Sequence, residues 1–299
     1  MVNELTIWEV GVADSNVFPM RGQRGYGEYM GTTALEVRVQ QGAERVELQR
    51  LTAALNELRL ALADIERLLI ERGTTRARWV VDLVDQQDHE LVVRVTAADS
   101  TQRPRASLLA PVDALVAGVA HLAEEPEVPD FYTEAVIKRL LKLGTPGRGV
   151  QEVSLAAVNG KPGPRRVISE PVRQHASRAL TGTQTSLGSV SGLLDTVSAR
   201  GGNLRVGIFD PHTRSSVVGE IPEDLASAVH GDFWQAHVLA RGELKRNDRG
   251  QVIRIKIDHI ERLPSGADKR ASVADVLGAD PDWTGDMTVD EFVREARRA

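Results

Sequence analysis

Residues 34–40, ALEVRVQ, alternate apolar and polar positions, the period-two signature of a half-buried strand. The strongest periodic signal in the chain follows. Leu48, Leu51, Leu55, Leu58, Leu62, Ile65 and Leu69 recur at spacings of three and four, one stripe along a helix spanning 45–72 and ending near Gly73. ARWVVDLVD and HELVVRVTA then read as two strands around the polar turn QQD. This β-α-β-β order predicts a long helix lying across a small sheet. Two more helices are expected, over 111–124 opening at Pro111 and over 132–143 after Pro129. The α+β domain is expected to close at Gly144, giving 1–144.

The leucine stripe has two readings. A strict heptad seam is a coiled coil and would pair two copies of the chain through the 48–69 helix. Apolar flanking positions (Ala53, Ala54, Leu60, Ala61, Ala63, Leu68 and Ile70) widen the face beyond such a seam. Burial within the monomer is therefore the expectation, with a homodimer as an addition to it.

From 145 to 184 the pattern weakens. GTPGRGV and NGKPGPRR are rich in Gly, Pro and Arg and predict turns and linker. Between and after them, VQEVSLAAV has strand character and SEPVRQHASRAL helix character. The stretch carries six Lys/Arg against two acids, and is read as a solvated basic linker.

Regular alternation returns at 185–264. SLGSVSGLLDTVS, NLRVGIFD and RSSVVGEI predict three strands, PEDLASAVH a short helix, and WQAHVLARGEL with VIRIKIDHIERL two more strands around NDRG. Strand, strand, strand, helix, strand, strand resembles an OB-fold, a five-stranded β-barrel. The resemblance rests on element order over about 80 residues. The fold class expected is thus α+β, with an OB-like barrel following the first domain.

That resemblance implies a ligand face on the second and third strands, flanked by the first–second and fourth–fifth loops. Single-stranded nucleic acid bound there needs cations and stacking aromatics. The candidates are Arg205, Phe209 and Arg214 on or near those strands, and Lys245, Arg246 and Arg249 near the fourth–fifth loop. Ten Lys/Arg are matched by ten Asp/Glu over 185–264, so the module has no net charge with which to hold a polyanion. Protein binding is therefore the favoured use and nucleic acid the alternative.

Residues 265–299 resemble in type the C-terminal tails of bacterial antitoxins: short, acidic, and built to wrap onto a partner protein. The features are an apolar VADVL and a terminal amphipathic segment with Trp283, Met287, Phe292 and Val293 as partner-binding anchors. Within it DPDWTGDMTVDEF nearly spells a calcium loop, with Asp280, Asp282, Thr284, Thr288 and Glu291 as ligands and Gly285 at the turn. Thr at the fifth position and the lack of a second copy count against metal. TVDE reads more simply as a capping box, Thr288 and Glu291 exchanging hydrogen bonds at a helix start.

Composition narrows the remaining classes. With no cysteine, disulfides, thiolate metal sites and cysteine nucleophiles are excluded. No histidine pair has metal-ligand spacing, and there is no nucleophile elbow, phosphate loop or dinucleotide fingerprint. Asp210 and His212 fall in the turn DPHTR, where turn formation is the simpler role. A non-enzymatic, cofactor-free adaptor is expected, with the antitoxin or immunity member of a toxin or phage-defence pair as its specific form and an enzyme as third reading. The N-terminus lacks a basic leader, and no apolar run was found near the about 20 residues a membrane span needs. A cytoplasmic location is expected.

Overall fold

The computed structural model describes residues 33–70, 74–98, 103–200, 203–222 and 235–263, with isolated positions 229, 233, 288, 291 and 294. Over these residues it is mixed α+β with two sheets. The first is built from β1 (Thr33–Gln41), β2 (Trp79–Gln87), β3 (Glu90–Ala97) and β4 (Val150–Asn159), in the order β2-β3-β1-β4. Two-residue strands β5 (Lys161–Pro162) and β6 (Arg166–Val167) both pair with β4. β1 is central and antiparallel to both neighbours, with Val37 opposite Val93 on one side and Leu155 on the other. Alternation puts Leu35, Val37 and Val39 into the core, where they meet Leu58, Leu62 and Ile65 of α1 (Leu48–Leu69).

The leucine stripe is consumed inside the chain. Leu58, Leu62 and Ile65 are buried and Leu55 and Leu69 pack against the same core, whereas Leu48 in the first turn is 78% exposed. α1 lies against α2 (Arg105–Glu124) and α3 (Glu134–Gly144). What the stripe buries is the chain's own core.

α2 corrects one expectation. It begins at Arg105, so Pro111 lies inside it and does not open it. A proline there cannot donate to the carbonyl four residues back, Ser107. The guanidinium of Arg103 supplies the missing donor, with Nη2 3.0 Å from the Ser107 oxygen. The same guanidinium pairs with Glu66, which is buried and also accepts from the Ala77 amide at 2.9 Å. By length and composition α2 is apolar enough to cross a membrane, contrary to the sequence reading. Its apolar residues Val112, Leu115, Val119 and Leu122 are spent on the core, and Tyr132 donates to the Leu115 carbonyl at 2.6 Å.

The reading of 145–184 as a linker is also overturned. β4 lies beside the central strand, and α4 (Glu170–Ala179) packs on α2 and α3. Val150, Val153, Leu155, Val172 and Ala176 all belong to the first core. The Gly/Pro/Arg runs are the tight turns around these elements. Gly149, at φ +82°, passes so close to the backbone of Arg45 that a Cβ would sit 2.2 Å from its carbonyl oxygen.

The opposite face of the sheet carries a buried ion network. Glu36 accepts from Arg94 at 2.9 Å and Arg38 at 2.7 Å, and Arg38 reaches Glu90 at 2.8 Å. Burial works to raise the Glu36 pKa, but the two guanidiniums outweigh it and hold the carboxyl below its usual range.

The second sheet consists of β7 (Gln184–Arg200), β8 (Asn203–Asp210), β9 (Ser215–Ile221), β10 (His237–Arg246) and β11 (Val252–Arg262), closed into a barrel in the order β7-β8-β9-β11-β10. Every pairing is antiparallel except β9 with β11. Leu194, Val206, Ile208, Val217, Ala240, Leu244, Ile255 and Ile257 fill it. Most of the short helix expected after Pro222 lies outside the described residues; Val229 within it is helical and fully buried.

Candidate functional site

The outer surface of β8 and β9, between the β7–β8 and β10–β11 loops, is where the sequence placed a ligand face. Leu204, Val206 and Ile208 point into the barrel, so alternation turns Arg205 and Phe209 outward. Outward is not exposed, however. Phe209 is only 5% accessible because Phe131, from the loop before α3, covers it with ring centroids 6.2 Å apart at 33°. The Phe131 amide donates to the carbonyl of Arg214 at 2.9 Å, while the Arg214 guanidinium lies 5.6 Å over the Phe131 ring and 3.2 Å from Asp130. Both residues sit at positive φ, +61° for Phe131 and +54° for Arg214. A bulky side chain accepts that backbone only where its surroundings dictate it.

The fourth–fifth loop is gripped in the same way. Asn247 is fully buried, donates to the Ala179 carbonyl at 3.2 Å, and accepts from the amides of Arg249 and Gln251. Gln251 pairs with both backbone groups of Val128, accepting at 2.7 Å and donating at 3.1 Å. Arg249 pairs with Glu125 and lies 3.5 Å from Glu127, and Arg178 of α4 reaches Asp248 at 2.7 Å. On β11, Arg254 meets Glu134 at 2.7 Å. At the bulge in β7, Arg67 of α1 pairs with the Asp195 carboxylate at 3.2 Å. Burial of that carboxyl pushes its pKa up, with Arg67 pulling the other way.

Of the six nucleic-acid candidates, Phe209 is sealed, Arg214 and Arg249 are neutralised by acids of the first unit, and Arg205 pairs with Glu220 at 3.1 Å. Arg246 donates to the Gly250 carbonyl at 2.8 Å. Lys245 alone is exposed with no ion-pair partner among the described residues. Sequence reasoning missed Asp130, Phe131 and Glu134. A signal was present in VPDFYTE, an aromatic between a Pro–Asp turn and a helix start, but nothing in it says which surface it covers.

Two cavities flank the clasp. One of about 640 Å³ is walled by Ala114, Ala117, Val128, Phe131, Arg214 and Gln251; the other, about 360 Å³, by Arg67, Arg76, Asp195, Phe209 and His237. Among the described residues no group of three or more His, Asp or Glu is placed to hold a metal. Asp210 accepts from the His212 amide and the Thr213 hydroxyl, both at 2.9 Å, and so organises its own turn.

The tail anchors Trp283, Met287, Phe292 and Val293, and the calcium candidates Asp280, Asp282 and Thr284, lie outside the described residues. Thr288 and Glu291 are described and form the expected capping box. The Thr288 amide donates to the Glu291 carboxylate at 3.0 Å, and the Glu291 amide to the Thr288 hydroxyl at 3.4 Å.

No protein-family model matches the chain, and a comparison with curated proteins finds no match either.

Proposed function

We propose that this is a non-enzymatic protein-binding adaptor of the cytoplasm, built on an OB-type barrel. The ring β7-β8-β9-β11-β10, with its single parallel pair, is the strand order that supports the OB assignment. One observation carries the functional reading: Phe209, the one aromatic on the barrel's outer ligand face among the described residues, is stacked under Phe131 of the same chain. A base cannot stack on a ring already covered, and the cations beside it already face carboxylates. The barrel's recognition surface is spent on protein, and the acidic tail is the part left to engage a partner, in the manner of an antitoxin. The capping box at Thr288 and Glu291 supports a short helix there as the binding element.

The test is co-purification from the native host, comparing the full chain with a truncation after Leu263 and with the double variant Trp283→Ala/Phe292→Ala. A partner retained by the full chain and lost in both variants supports the reading. A partner held equally by all three refutes it, as would submicromolar, steeply salt-dependent binding of oligothymidylate by the wild-type protein.

A further inference from the structure

The first sheet has two edges, and the chain treats them differently. Beyond β4 the edge is broken into the two-residue strands β5 and β6, with Pro162 and Pro164 interrupting it. Such short, proline-bearing edges do not recruit further strands. Beyond β3 the edge is β2, nine residues without a proline, paired on one side only among the described residues. Its exposure is unusual as well. Val81 and Val84 are 52% and 59% accessible, and an apolar groove of about 250 Å³ opens beside Val81, walled by Leu55, Leu58, Leu62 and Trp79.

Register explains why both valines lie on one face. The pairing with β3 shifts between Val81 and Leu83, so Val81 stands opposite Val95 and Val84 opposite Val93. Val93 and Val95 belong to the core under the helices, hence both exposed valines face the helix side. The helix layer stops short of the last strand and leaves an apolar shelf. The charges along the same segment are polarised. Arg76 and Arg78 precede the strand, Asp82 sits in the bulge, and Asp85 and Asp88 close it, all of them exposed. Arg76, Arg78, Asp82 and Asp88 have no ion-pair partner among the described residues.

We propose that a second copy of this chain occupies the β2 edge, the two β2 strands pairing antiparallel about a two-fold axis between Asp82 and Leu83. A strand of the reverse polarity satisfies the shelf and the charges together, and the chain's own β2 is such a strand. In that register Val81 of one copy lies opposite Val84 of the other on the helix side, and Trp79 lies opposite Gln86, also on that side. Val80 and Asp85 meet on the far side, so faces match at every pair flanking the bulge. The basic start of one strand runs along the acidic end of its mate, with Asp88 of the second copy between Arg76 and Arg78. Residue i meets j while j meets i, as an isologous contact requires. The seam joins the two sheets edge to edge. The association surface is therefore the β2 edge and its shelf; Leu55, Leu58 and Leu62 of the α1 stripe back the groove there, while Ile65 stays in the core.

The absence of native cysteine makes the register directly readable. Val81→Cys and Val84→Cys are made as separate single variants and oxidised alone and as an equimolar mixture. In the proposed dimer, position 81 faces position 84 of the mate, whereas like positions are about 10 Å apart, beyond disulfide reach. The mixture is expected to give an interchain cross-link and each single variant alone to give none. Cross-linking of either variant alone to the same extent overturns the register, and a wild-type chain that sediments as a monomer at tens of micromolar overturns the dimer. Arg76→Asp/Arg78→Asp should weaken the dimer by about tenfold or more, and adding Asp85→Arg/Asp88→Arg should restore it. A reversal without effect, in protein whose circular dichroism is unchanged, also overturns the proposal.

Discussion

Replacing Phe131 separates two effects of opposite sign that the clasp combines. Phe131→Ala removes a half-buried ring that stacks on Phe209 and carries the Arg214 guanidinium. A fully buried Phe→Ala costs about 3–5 kcal/mol. Because this ring is only partly buried, about 2–3 kcal/mol is expected here, including about 0.5–1.5 from the ring pair. The alanine keeps the +61° backbone and its strain, about 1–2 kcal/mol for a residue with a Cβ. Phe131→Gly loses the same ring but relieves that strain, against about 0.5–1 kcal/mol of extra backbone entropy given to the unfolded chain. At an ordinary helical or extended position glycine would be the worse of the two by that entropy alone. Here it should equal alanine or exceed it in stability by up to about 1.5 kcal/mol.

Urea unfolding followed by circular dichroism measures both variants against wild type, read from the midpoints with the slope checked for constancy. Glycine less stable than alanine by about 1 kcal/mol or more would refute the reasoning, because the backbone at 131 could not then be held at positive φ. A Phe131→Ala cost near zero would refute it differently, since the ring could not then be sealing Phe209.

Glu134 should shape the acid limb of stability. Burial works to raise its pKa, but hydrogen bonds from Arg254 and Lys138 hold the carboxyl below the usual carboxylate range. Its contribution is thus complete above the unfolded value and lost as pH falls through the lower folded one, and Glu134→Gln should flatten the stability–pH curve below about 4.5. Ile65→Ala, at a fully buried stripe position away from the β2 groove, should cost about 2–5 kcal/mol without changing the oligomeric state by light scattering; a folded variant that changes state would make α1 a seam. Arg103→Ala should cost about 3–5 kcal/mol by thermal or urea unfolding, because it strands buried Glu66 and the Ser107 carbonyl facing Pro111. Arg103→Lys should rescue little, since an ammonium cannot span both acceptors as the guanidinium fork does. Calcium titration of the full chain by calorimetry should give no saturable heat; a signal lost in Asp280→Ala and Glu291→Gln would restore the calcium-loop reading.

What could be read from the sequence was whatever local spacing determines. The α1 stripe, the alternation of β1 and the succession of barrel strands along the chain each follow from neighbours within about a dozen residues. The linker reading failed because composition was weighed over forty residues, while the decisive signal was the spacing of Val150, Val153 and Leu155 inside them. Their partners lie on β1, more than a hundred residues upstream, and no local pattern announces such a pairing. Pro111 misled for a related reason. A proline normally marks a helix start because its lost hydrogen bond costs nothing there, and only the guanidinium of Arg103 makes an interior position tolerable.

The ligand face divides along the same line. Alternation along β8 turns Arg205 and Phe209 outward, since both lie on one strand with Leu204, Val206 and Ile208 between and around them. Their availability is a different quantity, set by Asp130 and Phe131, nearly eighty residues earlier in the chain. Counting charges over 185–264 gave a neutral module and an argument against polyanions, but the count treated each arginine as free. Arg214, Arg249 and Arg254 in fact face Asp130, Glu125 with Glu127, and Glu134, all drawn from one short segment before and at the start of α3. That segment supplies four carboxylates and the covering ring together. A barrel surface that matches so many groups of its own chain has the complementarity of an interface. The net charge of a module therefore says less about its ligands than the question of which of its cations are already answered.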